Sequence, residues 1–103
     1  MRKTITIRHC EIPDALRERA DAILDRLAGI APRPHDATVL FDVTHGQASV
    51  EIRIHLARGE LALAAAQADD HRTALDRAEE KLRPQLERAA AKPPRRRAET
   101  DRV

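Results

Sequence analysis

Of the basic residues between Asp70 and Lys92, four, Arg77, Lys81, Arg88 and Lys92, stand at steps that bring them onto one flank of a helix. The acids Asp76, Glu79, Glu80 and Glu87 fall on the other flank, with Arg83 among them where it can pair with Glu79 or Glu87. Cations gathered apart from acids suit one kind of chemistry, holding a polyanion through its phosphates. A solvated helix rich in Arg and Glu more often laces both signs into salt bridges, and the sorting by sign is what favours a binding flank here. A second basic cluster, Arg95, Arg96 and Arg97, extends the same character beyond two prolines.

Other chemistries find less to work with. His9, His35, His45, His55 and His71 are scattered over strands and loops without metal-ligand spacing. Asp69-Asp70 is better explained as a helix cap than as a catalytic carboxylate pair. Cys10 is the single cysteine, which excludes an internal disulfide and a Cys-based zinc site, and no Cys/His/Asn constellation can be built around it. Gly29, Gly46 and Gly59 each stand at a turn and form no phosphate-cradling loop. The expectation is a binding protein, with no enzymatic activity, cofactor, metal or small-molecule substrate.

The elements that must position the flank follow from periodicity. Thr4 to His9 alternates, with Ile5 and Ile7 on one side, as a strand buried on one face does. Pro13 suits a first helical turn, and Leu16, Ala20, Ile23 and Leu27 then recur at helical spacing until Gly29 supplies a stop. Ala31 to Asp36 reads as a turn because two prolines stand so close together. Ala37 to Thr44 and Ser49 to Leu56 alternate again around Gly46; Arg58-Gly59 makes a tight hairpin, and Leu61 to Gln67 returns as the last strand. Asp69 or Asp70 caps a second helix whose buried stripe is Leu75, Ala78, Leu82, Leu86 and Ala89. Pro84 inside it predicts a kink or an end to the regular helix.

The spacing therefore predicts an α+β fold in the order β-α-β-β-β-α, one four-stranded mixed sheet with two helices on one face and the polar far face left to solvent. The first strand should lie parallel to one of the others. With 103 residues and Phe41 as the lone aromatic, the chain can bury one core, made of Ile, Val, Leu and Ala. Residues 1–92 read as one domain and 93–103 as a basic disordered tail. From Arg83 onward seven basic residues face three acidic ones, a charge of +4 within an overall +2. No stretch resembles a signal peptide or reaches the length of a membrane span, so the expected location is the cytoplasm, with no membrane partner.

The element order and the residues together resemble the ribosome hibernation promoting factor and ribosome-associated inhibitor family, the sigma-54 modulation protein type, in its short form. The matching stretches are Ile12-Pro-Asp-Ala-Leu-Arg-Glu, and Ala68-Asp-Asp through Ala74-Leu-Asp to Lys81-Leu-Arg-Pro-Gln-Leu, within a likeness that covers about residues 1 to 92. Two positions depart from the pattern: His71-Arg72 stands where the family has Met-Tyr, and Pro84 where it often has a base. The resemblance implies a factor that binds small-subunit rRNA in the channel used by mRNA and tRNA and inhibits translation in stress or stationary phase. It implies rRNA contacts from Arg17, Arg77 and Lys81, then Arg88 and Lys92, with Arg95, Arg96 and Arg97 as a supplement. The alternative is a general RNA-binding module like a double-stranded-RNA domain, since Arg-rich ends alone do not separate the two. A protein-interaction domain working through its sheet is a third reading.

Overall fold

The computed structural model describes residues 1–91, in the order β1(Arg2–Ile7), α1(Asp14–Ile30), β2(Pro34–Thr44), β3(Gln47–Leu56), β4(Leu61–Ala68) and α2(His71–Ala91). The segment 93–103, and with it Lys92, lies outside the described residues. The four strands form one sheet in the order β1-β2-β3-β4, with β1 parallel to β2 and the other two pairs antiparallel. This is the mixed α+β arrangement that the periodicity predicts.

Alternation decides which face is buried. Val39 and Phe41 of β2, Val50, Ile52 and Ile54 of β3, and the alanines at 62, 64, 66 and 68 of β4 all turn toward the helices. Ile23, Leu24 and Leu27 of α1 and Leu75, Leu82 and Leu86 of α2 close over them without residual exposure. Helix α1 lies over β1 and β2, and α2 over β3 and β4. Because β4 offers only alanine to α2, the helix can approach that strand closely.

The two helices are tied side by side by charge. Arg19 pairs with Asp76 at 2.9 Å and Arg26 with Glu79 at 3.0 Å, so the helices run in the same direction. Arg83 also reaches Glu79, at 3.1 Å. Glu79, read from the sequence as part of an exposed flank, is in fact buried in the seam between the helices. At the start of α2, the His71 ring Nε2 donates to the Asp42 carbonyl at 2.8 Å and meets the Phe41 ring edge-on, pinning the helix to the end of β2.

Several local expectations are corrected. Of the kink or end expected at Pro84, the end is excluded, because helix α2 runs on to Ala91. The proline leaves the Glu80 carbonyl without its intrahelical donor, but Leu82 and Leu86 on either side are fully buried and hold the last turns in place. Helix α1 likewise passes through Gly29 and ends at Ile30, where Ala31 turns to an extended conformation ahead of Pro32. Pro13 is the residue before the first turn, its carbonyl accepting from the N–H groups of Leu16 and Arg17. Strand β2 begins at Pro34, inside the expected turn, and a register shift between Pro34 and Asp36 absorbs the irregularity.

The β2–β3 connection is a two-residue turn in which His45 and Gly46 take φ of 52° and 78°, the type I′ geometry that matches strand twist. The β3–β4 connection is the tight hairpin expected at Arg58-Gly59, where the two residues take φ of 70° and 76° and the Leu56 N–H donates to the Glu60 carbonyl at 2.7 Å. The far sheet face is polar on β1 and β3, yet on β4 it carries the exposed Leu61, Leu63 and Ala65, contrary to the expected polar side on every strand.

Candidate nucleic-acid interface

Strand β4 is an edge strand, and its outward main-chain groups would be open to any chain that could pair with them. Helix α2 closes this edge with three side chains. Arg77 Nη1 donates to the Gln67 carbonyl at 3.1 Å, Lys81 Nζ to the Ala65 carbonyl at 3.0 Å, and Gln85 Nε2 to the Leu63 carbonyl at 2.8 Å. The Leu63 N–H in turn donates to Gln85 Oε1 at 3.2 Å. The helix runs antiparallel to the strand, and the ladder works because two pitches agree: four residues of helix rise about 6 Å, and two residues of strand about 6.6 Å. Each helical turn therefore meets the next outward-facing residue of the strand.

This arrangement fixes two cations without neutralising them. Arg77 and Lys81 are both exposed, and among the described residues neither forms an ion pair. The carbonyl takes one donor from each, leaving Arg77 four N–H groups and Lys81 two for an outside ligand. Two of the four acids of α2, Asp76 and Glu79, hold arginines in the helix seam, while Glu80 and Glu87 are exposed. Asp70 caps the helix, its carboxylate accepting from the Thr73 N–H at 2.8 Å and hydroxyl at 3.1 Å. Those Thr73 bonds hold the Asp70 carboxyl below its ordinary range.

The remaining expected contacts divide by position. Arg88 is exposed and, by helical periodicity, falls on the flank that carries Arg77 and Lys81. Arg17 is exposed as well but stands on another side of the molecule. On α1, Arg19 and Arg26 face α2, whereas Asp21 and Asp25 face β1, where Lys3 bridges both at 2.9 and 2.8 Å. Arg17 lies one turn before Asp21, on the β1 side, and does not join the row. Lys92, Arg95, Arg96 and Arg97 lie outside the described residues. Gln85 was missed because an uncharged amide leaves no trace in a charge pattern; its one signal was the four-residue step from Lys81.

Beside the row, on the open face of the sheet, is a groove of about 500 Å³ lined by Leu40, Thr44, Ser49, Glu51, Ala65, Gln67 and Lys81, among others. Lys81 therefore stands where the sealed edge meets the open face. The groups that could suggest catalysis are otherwise committed. His9 bonds Asp42 at 2.9 Å, which together with the Val43 N–H holds that carboxyl low. Burial pushes the Cys10 thiol up, away from the reactive thiolate. Among the described residues no group of three or more His, Cys, Asp or Glu could hold a metal.

The family model described as sigma 54 modulation protein / S30EA ribosomal protein matches residues 4–93. The chain belongs to this family. Among solved structures, a ribosomal subunit interface protein from Coxiella burnetii superimposes with a TM-score of 0.75 at 26% identity, over 89% of this chain and all of that one. The Protein Y N-terminal domain from Thermus thermophilus gives a TM-score of 0.69 at 31% identity, over 85% of this chain and 98% of that one. No curated protein matches the chain. The S30EA family comprises ribosome-associated factors, not enzymes. No helix among the described residues is long and apolar enough to cross a membrane.

Proposed function

We propose that this S30EA-family chain is a cytoplasmic ribosome hibernation factor that binds small-subunit rRNA in the mRNA and tRNA channel and inhibits translation. The observation that carries the reading is the row on α2. Arg77 and Lys81 are exposed, held on the carbonyls of β4, and free of any carboxylate among the described residues. A row of fixed, uncompensated cations engages phosphates without reading bases, and phosphate contacts position a protein on RNA. The rest of the domain then acts by bulk, occupying space that mRNA and tRNA need. Membership of the family and the likeness to a ribosomal subunit interface protein support the ribosome as the partner.

The test is competition on purified small subunits. The chain should displace mRNA and initiator tRNA, inhibit a reconstituted translation reaction in proportion to its occupancy, and resist an excess of bulk RNA. Equal competition by bulk RNA would favour the general RNA-binding module instead, because such binding is only electrostatic and carries no preference for the ribosome.

A further inference from the structure

Pro84 removes one bond from α2 in the same turn in which the basic row must continue from Lys81 toward Arg88. The neighbouring residue, Gln85, forms the single two-way contact of the edge ladder, donating to the Leu63 carbonyl at 2.8 Å and accepting from the Leu63 N–H at 3.2 Å. In this it behaves as one residue of an adjacent strand would, satisfying both main-chain groups of Leu63. Arg77 and Lys81 are different, since each only donates, and each hangs from a single carbonyl. A long cationic side chain held by one bond keeps its place only if helix and strand stay in register.

We propose that Gln85 is a positioning residue for RNA binding: by clamping α2 to the edge of β4 beside Pro84, it sets the register that holds Arg77 and Lys81 in a fixed row and carries that row on to Arg88. The inference rests on the proposed rRNA-binding function and adds a residue to it that bears no charge and touches no RNA. Its effect is on order. Side chains already fixed before association lose less freedom on binding, so loosening the clamp weakens binding without removing a single phosphate contact. The number of counterions released, and with it the slope of log K against log salt, stays the same.

The experiment compares the full chain with Gln85→Leu and Gln85→Lys in binding to purified small subunits across a salt series. Thermal midpoints and NMR relaxation of the Arg77 side chain are measured in parallel. Gln85→Leu, close in volume but without either bond, should bind about tenfold more weakly at an unchanged salt slope. Its Arg77 side chain should be more mobile, and its midpoint should remain near that of the parent because the Leu63 groups it uncovers are open to water. Gln85→Lys can still donate to the Leu63 carbonyl but cannot accept from its N–H, so it should leave the Arg77 side chain as mobile as Gln85→Leu does while its added charge raises the salt slope. Parent binding together with Gln85→Leu binding within twofold, or an Arg77 side chain no more mobile in Gln85→Leu and Gln85→Lys than in the parent, would overturn the role of Gln85 alone. A parent chain that does not bind small subunits at all would overturn the functional reading beneath it.

Discussion

A lysine that donates one hydrogen to a carbonyl keeps its whole charge, whereas one paired with a carboxylate presents almost none to a distant ligand. That difference separates Lys81 from Lys3, which is shared between Asp21 and Asp25. Replacing Lys81 with Ala is expected to weaken small-subunit binding similarly for all RNA sequences and to lower the salt slope by about one, as read from binding isotherms at several salt concentrations. Glu79 poses the opposite case. It is buried between Arg26 and Arg83, both partly exposed, so those arginines can regain water if the carboxylate is lost. Glu79→Gln should therefore cost about 1–2 kcal/mol, less than a fully buried pair, and lower the thermal midpoint by roughly 5–10 °C.

Acid sensitivity follows from two other carboxylates. Asp42 and Asp70 are held below their ordinary value of 3.8 by hydrogen bonds present only in the folded chain. The stability they contribute is complete above that unfolded value and is lost as pH falls through the lower folded values. The urea midpoint should be flat down to about pH 5 and fall below pH 4, and Asp70→Asn, which keeps a cap but does not titrate there, should make that fall shallower.

At the scale of elements, the strands were legible because alternation with one buried face is a strong signal, as in Val50, Ile52 and Ile54. Local rules failed where packing overrode them. Gly29 suggests a helix end and Pro84 a kink or an end, yet neither stops its helix, whose neighbouring turns are buried. Pro34 suggests a turn, yet it opens a strand through a register shift. The helix nevertheless bears the penalty of its proline. Pro84→Ala should restore a donor for the Glu80 carbonyl and stabilise the fold by about 1–2 kcal/mol, after allowing for the freedom that proline removes from the unfolded chain. A rise in the urea midpoint at constant m-value would show it.

Over the whole molecule, the charge pattern along α2 was visible in the sequence, but its meaning was only half legible. Sorting by helical periodicity placed Arg77, Lys81 and Arg88 together, and the structure keeps them on one flank. It did not show that β4, with alanine on its inner face, lets that flank reach the edge of the sheet, since this depends on which strand lies outermost. Nor did it show that Arg17 stands apart, on the side of α1 that faces β1. The same row thus serves two purposes, sealing an edge that could otherwise pair with another chain and presenting cations along it.

The most direct measurement is co-sedimentation of the purified chain with small ribosomal subunits, compared with an Arg77→Glu, Lys81→Glu double variant whose circular dichroism and thermal midpoint match the parent. The parent should travel with the subunits at moderate salt and the double variant should remain at the top of the gradient. A double variant that sediments with the subunits as fully as the parent would contradict the assignment of this row as the RNA-binding surface.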